Sequence, residues 1–113
     1  MLRQRQPREK DETYLKWIRG LICLTCLDNT SVEAAHLRRA DLRADKQWTG
    51  MATKPNDRPW VLPLCSKCHR HQHECGEDRF WDHAVIDPTF ICLALSNVYP
   101  DNERAERIIR AAQ

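Results

Sequence analysis

Two pairs of cysteines have a spacing that is typical of metal ligands. Cys23 and Cys26 form one Cys-x-x-Cys pair, and Cys65 and Cys68 form a second pair after 38 intervening residues. Each pair can place two thiolates on one side of a tight turn, and four thiolates complete a closed tetrahedral site of the kind that holds structural zinc. We therefore predict a structural Zn²⁺ site, with iron–sulfur ligation less favoured. The alternatives are two unrelated pairs of buried cysteines or a redox pair.

Three histidines follow the second cysteine pair directly. His69, His71 and His73 occupy alternate positions, and residues four apart share one face of a helix. His69 and His73 can therefore reach one cation. His71 points elsewhere and is predicted to be a structural or surface residue, with a role as an alternative ligand left open. The alternative is a polar helix surface that binds no metal.

A further histidine ends the first of two short apolar segments. These segments can pair as a β-hairpin, with His36 at the end of the first and Cys65 directly after the second. If zinc ties the two cysteine pairs together, the strand carrying His36 lies against the helix carrying His69 and His73, and the three imidazoles converge. A metal beside a neutral imidazole suits phosphodiester hydrolysis, because the ion stabilises charge on the phosphate while the imidazole takes a proton from water.

The same segments resemble the HNH, or His-Me finger, endonucleases of the zinc-bearing kind. The resemblance covers Leu21 to about Gly76 and is carried by Cys23-x-x-Cys26, Glu33-Ala34-Ala35-His36 and Pro63-Leu64-Cys65-x-x-Cys68-His69. A narrower similarity to phage and prophage members, such as the Ref-type recombination nucleases, is carried by His36-Leu37-Arg38, Lys54-Pro55-x-Asp57, Trp60-Val61-Leu62-Pro63-Leu64-Cys65 and Phe80-Trp81.

This resemblance implies a ββα-metal core and a metal-dependent endonuclease that hydrolyses DNA. It makes His36 the general base and gives His69 and His73 one catalytic divalent ion, such as Mg²⁺, Mn²⁺, Ni²⁺ or Zn²⁺. The products would carry 5′-phosphate and 3′-hydroxyl ends. The narrower similarity implies a role in phage or prophage recombination or DNA processing.

The sequence departs from the family pattern at two positions. Many members have an Asp or His ligand immediately before the base, whereas Ala35 stands there in this chain. The middle Asn of the motif, which would fall near Trp60, is absent as well. Asp57 is the candidate replacement, either orienting His36 through a hydrogen bond or completing the metal shell. The alternative is that Asp57 only forms a turn.

Positive charge is concentrated beside the candidate site. Residues 38–58 carry six basic and three acidic side chains, and such an excess attracts phosphates. Arg38, Arg39 and Lys54 are the expected contacts to DNA, with a solvated charged surface as the alternative. Trp48 in the same segment either stacks on a base or anchors the segment to the core.

Hydrophobic periodicity predicts the elements that position these residues. Strands are predicted over 31–37 and 60–64, and helices around 14–21, 66–74, 88–97 and 105–112. The expected fold is a single α+β domain over residues 11–113: a ββα-metal core stapled by the four-cysteine zinc site, with flanking N- and C-terminal helices. Residues 1–10 are predicted to form a basic arm.

Composition limits the functions that the chain can carry. Its 113 residues, 42% hydrophobic and 30% charged, suffice for one small domain that benefits from a metal staple. The longest uncharged stretch covers only residues 88–100, which is shorter than the roughly 20 residues of a membrane-spanning helix, so no membrane partner is expected. The N-terminus has no apolar signal segment, which predicts reduced thiols and a cytoplasmic location in a bacterium or a phage-infected cell.

Two other functions stay open on the sequence. A zinc-ribbon module that binds nucleic acid without cutting it is favoured by Ala35, and a protein-interaction finger would leave the histidines without a role. The net charge of +2 does not identify a partner by itself. Cys75 and Cys92 have no partner at ligand spacing and are predicted to be ordinary thiols. The sequence does not fix the oligomeric state.

Overall fold

The computed structural model describes residues 8–48 and 54–113 of the chain. Within these residues the helices are α1 (Glu12–Arg19), α2 (Ser66–Cys75), α3 (Glu77–Ala84), α4 (Pro88–Val98) and α5 (Asn102–Ala111). The strands in the same residues are β1 (Val32–His36) and β2 (Val61–Cys65), and a 3₁₀ turn, Leu42–Ala44, follows β1. The predicted α+β class is confirmed.

The two strands form the antiparallel hairpin that the apolar segments predict. Glu33 lies opposite Leu64, and His36 lies opposite Val61. Every residue of β2 is buried, which matches its continuous apolar sequence. Pro63 has no N–H to donate, but its carbonyl oxygen accepts a hydrogen bond of 2.8 Å from the amide of Leu24. The first cysteine-bearing segment is thereby fixed along the open edge of β2.

The core is built from the hairpin and the helices on either side of it. Tyr14 and Ile18 of α1 pack with Leu64 of β2, Leu95 of α4 and Ile109 of α5 in one buried cluster. Burying these apolar side chains supplies the main driving force for folding. Because α2 starts at the residue directly after β2, the hairpin fixes the direction in which the histidine-bearing helix leaves the core.

The helix ends follow local sequence signals. Asp87 caps α4 by accepting a hydrogen bond from the amide of Phe90, and Pro88 occupies the first turn, where its missing N–H has no cost. Asp101 caps α5 in the same way through the amide of Arg104. The predicted start of α4 is confirmed, and Asp101 is the cap of α5.

Helix α3 is the element that the sequence analysis did not predict. Gly76 marks the end of the predicted helix after the second cysteine pair, but a further helix starts at the next residue. Gly76 adopts φ +88° and ψ 153°, a conformation that is essentially restricted to glycine. The turn at Gly76 packs Phe80 and Trp81 into the core.

The predicted basic arm is partly bound to the domain. Residues 1–7 lie outside the described part of the chain, but the Glu9 carbonyl oxygen accepts a hydrogen bond of 3.0 Å from the Asp57 amide. The Glu9 amide donates in turn to Asn56 Oδ1 over 2.8 Å. No helix within residues 8–48 and 54–113 has the length and apolar character needed to cross a bilayer.

Candidate functional site

The four predicted cysteine ligands meet at one point. The Sγ atoms of Cys23, Cys26, Cys65 and Cys68 all lie within 4.8 Å of one another. Cys26 Sγ and Cys65 Sγ are 3.7 Å apart, and tetrahedral Zn–S bonds of about 2.3 Å give sulfur–sulfur separations of about 3.8 Å. The donor set therefore fits a structural metal such as zinc, as the spacing predicts.

Hydrogen bonds around the first cysteine pair favour the thiolate form of Cys23. Burial alone raises the pKa of Cys23, but hydrogen bonds from the Thr25 hydroxyl and from the backbone of Cys65, Cys26 and Thr25 outweigh it and lower the pKa to about 6. A thiolate is the form of cysteine that binds metal. The Leu24–Pro63 hydrogen bond described above joins the two segments that carry Cys23 and Cys65.

The two other cysteines lie outside the four-cysteine cluster. Among the described residues, that cluster is the only group of three or more side chains placed to bind one metal ion. Cys92 is buried in α4, and its thiol donates to the carbonyl oxygen of Val61 over 3.7 Å. Burial raises the pKa of Cys92, so its thiol stays protonated. Cys75 is half-buried and donates to the carbonyl oxygen of Gly76 over 3.6 Å.

The predicted histidine pair on α2 is in direct contact. Nε2 of His69 and Nε2 of His73 are 3.2 Å apart. The other ring nitrogen of His69, Nδ1, lies 2.8 Å from Oε1 of Glu33 on β1. Burial, followed by the nearby His69 and Arg38, lowers the pKa of His73, so this imidazole is neutral near pH 7. Imidazole nitrogens are common ligands of divalent cations, and these two Nε2 atoms are close enough to share one.

His36 forms a separate pair with Asp57. His36 Nε2 lies 2.8 Å from Asp57 Oδ1, and the two side chains are only 9% and 2% exposed. The carboxylate also accepts a hydrogen bond of 2.8 Å from the Asp11 amide through Oδ2, and Arg8 Nε lies 3.9 Å from Oδ1. The sequence left two roles open for Asp57, and the observed contact is the hydrogen bond to His36.

Burial and hydrogen bonding set the protonation states of this pair. Burial raises the pKa of Asp57, but the N–H groups of His36 and Asp11 and the charge of Arg8 outweigh it and hold that pKa below its usual range. Burial, with the charges of Lys54 and Arg8, outweighs the opposing effect of Asp57 and lowers the pKa of His36. An ionised carboxylate only accepts hydrogen bonds, so the proton of neutral His36 is on Nε2. Its Nδ1 then carries the lone pair that can take a proton.

Among the described residues these imidazoles take part in two different contacts, His69 with His73 and His36 with Asp57. His69 and His73 contact each other, whereas no hydrogen bond or ring contact joins His36 to either of them within the described ranges. Residues three apart on a strand point to opposite faces, so Glu33 and His36 have different partners, His69 and Asp57. The predicted contact between His69 and His73 is observed, and the convergence of His36 with them stays a prediction.

Other polar side chains near the site have structural partners. The His71 ring packs edge-on against Phe80 at 5.8 Å, which turns it away from the histidine pair. Glu33 was not predicted as a site residue. The available signal was an acidic side chain on a strand expected to lie against a histidine-bearing helix.

Much of the predicted basic surface is already paired within the protein. Arg39 forms an ion pair of 3.1 Å with Asp78, and its amide and that of Arg38 donate to the Glu77 carboxylate over 2.8 Å. Lys46 is buried and donates to the carbonyl oxygen of Arg39. Among the predicted DNA contacts, Lys54 is exposed, and its charge lies close enough to His36 to lower the pKa of that histidine.

Trp48 projects from the first described range, with 62% of its surface exposed. Of its two expected roles, anchoring to the core does not agree with this exposure.

Comparisons of the chain with models of protein families, with curated proteins and with solved structures found no match.

Proposed function

We propose that this protein is a metal-dependent endonuclease of the HNH, or His-Me finger, type that hydrolyses DNA. The observation that carries the proposal is the buried His36–Asp57 pair, with its hydrogen bond of 2.8 Å, on the same hairpin that supports the histidines of α2. A neutral, oriented imidazole is a proton acceptor, and two adjacent imidazole nitrogens are cation ligands. Together they supply the two groups that phosphodiester hydrolysis requires.

In this proposal His36 is the general base. Its Nδ1 takes a proton from the attacking water, while Asp57 keeps the ring in the required tautomer and stabilises the imidazolium that forms. His69 and His73 would hold the catalytic divalent ion, such as Mg²⁺, Mn²⁺ or Ni²⁺, which when bound stabilises charge on the phosphate and the leaving oxygen. Zinc at the four cysteines has a structural role.

Lys54 is the preferred contact to the DNA backbone, because it is exposed and close to His36. Arg39 can contribute only by sharing or leaving its ion pair with Asp78. A DNA-processing role in a phage or prophage, in a cytoplasmic setting, belongs to the same proposal and rests on the sequence resemblance.

Plasmid nicking in the presence of Mg²⁺, Mn²⁺ or Ni²⁺ tests the proposal. We expect the zinc-loaded protein to convert supercoiled DNA to open circles. His36→Ala should abolish this conversion while the zinc content stays unchanged and the protein stays folded. His83→Ala is a matched control, because His83 is exposed on α3 and has no role in the proposal. Equal nicking by the His36→Ala and wild-type proteins would remove the base assignment.

A second candidate is a zinc-stapled module that binds nucleic acid without cleaving it. It is favoured by the buried Ala35, which offers no ligand atom where many HNH enzymes have one. Gel-shift binding of DNA without nicking in any of the three metals would support this module. Absence of both binding and nicking would instead favour a protein-interaction finger.

A further inference from the structure

We infer that Glu33 is a positioning residue for a cation site formed by His69 and His73. The inference rests on the histidine pair of the proposed function, and it adds the group that orients the pair. Glu33 lies on a different element from the two histidines and is 36 positions from His69 in the chain. Its contact with the imidazole is therefore a product of the tertiary fold.

The two nitrogens of His69 face different partners. Nδ1 lies 2.8 Å from Glu33 Oε1, and Nε2 lies 3.2 Å from His73 Nε2. The carboxylate oxygen in contact with the ring is thus on the side away from the second histidine, where it cannot share a cation with the two Nε2 atoms. Glu33 acts on the site through the ring and is not itself a ligand.

This contact determines which nitrogen of His69 can bind a cation. A carboxylate oxygen at 2.8 Å is a hydrogen-bond acceptor for the ring N–H, so this contact favours the imidazole proton on Nδ1. Nε2 is then left with its lone pair directed toward His73. A carboxylate that accepts the N–H of a ligating histidine fixes the tautomer and ring orientation and makes the other nitrogen a stronger ligand.

The hairpin makes this arrangement rigid. Glu33 is opposite Leu64 in the strand register. Leu64 directly precedes Cys65, which is the N-cap of α2. The amide of Ser66, at the start of α2, donates to the carbonyl oxygen of Ser31 over 2.9 Å. Backbone hydrogen bonds on both sides therefore fix Glu33 relative to the helix. The Glu33 side chain is still 50% exposed, so substitutions there need not disturb the core.

Ni²⁺ titration of the zinc-loaded protein tests the inference without measuring activity. We expect Glu33→Leu to weaken Ni²⁺ binding by about 10–100-fold, the usual effect of losing such a partner. Glu33→Gln should weaken it less, because the amide oxygen still accepts the Nδ1–H bond. Glu74→Leu is the matched control, since Glu74 is an exposed acidic residue on α2, the helix that carries His69 and His73. This variant should leave the Ni²⁺ affinity unchanged. His69→Ala should abolish binding at this site.

Imidazole ¹⁵N spectra of the zinc-loaded protein without Ni²⁺ give a second readout. We expect His69 to be protonated on Nδ1 in the wild type and on Nε2 in Glu33→Leu. Unchanged Ni²⁺ affinity in Glu33→Leu, absence of a Ni²⁺ site in the wild type, or a wild-type His69 protonated on Nε2 would overturn the inference. A Glu33 effect on Ni²⁺ binding and tautomer in a protein that cleaves no DNA would uphold the inference while rejecting the endonuclease proposal.

Discussion

The Asp57 carboxylate accepts a hydrogen bond of 2.8 Å from Nε2 of His36, although the two residues are 21 positions apart. The second carboxylate oxygen is held by the Asp11 amide, at the N-cap of α1. The loop carrying Asp57 is therefore tied to the start of α1, and the orientation of the His36 ring depends on that connection. A residue that could have been only a turn former thus has a defined partner.

Asp57→Asn should move the pH dependence of cleavage to lower pH. The pKa of His36 is already below its usual value because of burial, and Asp57 opposes that shift. Loss of the charge therefore lowers the pKa further, while the amide oxygen can still accept the Nε2–H bond. We expect wild-type cleavage to rise with pH to a plateau, with a midpoint below about 6.5, and the Asp57→Asn midpoint to be lower still.

NMR titration of His36 checks the same shift independently of activity. A His36 pKa that is equal or higher in Asp57→Asn would contradict the assigned role of the carboxylate. Asp82→Asn, at an exposed position on α3, is the control for a general change in charge.

Cys26→Ala should leave the protein largely unfolded. Zinc sites of this kind in small peptides supply about 10–16 kcal/mol of apparent binding free energy, which is as large as or larger than the 5–15 kcal/mol stability typical of whole domains. Cys26 lies 3.7 Å from Cys65 in the cluster, so its loss leaves three sulfur ligands and weakens the metal binding that joins the two cysteine pairs. We expect circular dichroism to show no cooperative thermal transition. A strong chelator should have the same effect on the wild type.

Cys75→Ala is the control for this experiment, because Cys75 is outside the four-cysteine cluster. It should keep a cooperative transition and one zinc ion per chain. A melting temperature of Cys26→Ala equal to that of the wild type would refute the structural role of the metal.

Lys54→Ala should weaken DNA binding and reduce its salt dependence. A lysine that contacts one phosphate contributes about one unit to the slope of log K against log salt concentration. Lys54 is exposed and lies near His36. We expect the slope to fall by about 1 in binding titrations over a range of salt concentrations. Lys67→Ala makes the same charge change on exposed α2, and equal effects of the two variants would show that only net charge matters.

Gly76→Ala should destabilise the domain by about 1–3 kcal/mol. Gly76 has φ +88°, and a side chain there is strained even though a Cβ would meet no atom within 4 Å. The cost is therefore conformational and should appear as a lower midpoint in urea unfolding. Gly20→Ala is the comparison, since Gly20 has φ −86° in the helical region. Equal midpoints for the Gly76→Ala and wild-type proteins would contradict the conformational argument.

Features carried by local sequence signals were predictable. The spacing of Cys23, Cys26, Cys65 and Cys68 predicts their cluster, because two short turns each present two thiols and one metal joins them. The interval between His69 and His73 predicts their contact, since residues four apart meet on a helix. Asp87 and Pro88 predict the start of α4, because a capping Asp followed by Pro in the first turn is a local signal for a helix start.

Helix α3 and pairings between distant side chains were not predictable in this way. The large apolar residues of α3 are the adjacent Phe80 and Trp81, which do not repeat at helical spacing, and Gly76 has the appearance of a helix end. The ion pair of Arg39 with Asp78 removes part of the expected basic surface. Nothing in the sequence near either residue indicates that partner.

The sequence by itself therefore determined the α+β class, the sulfur ligand cluster and the histidine pair, because each depends on residues close together in the chain or joined by one metal. Only the tertiary structure decided that Glu33 meets His69 and that His36 faces Asp57. The physical reason is that neighbouring strand residues point to opposite faces. What each face meets is set by the packing of helices and loops far away in the sequence.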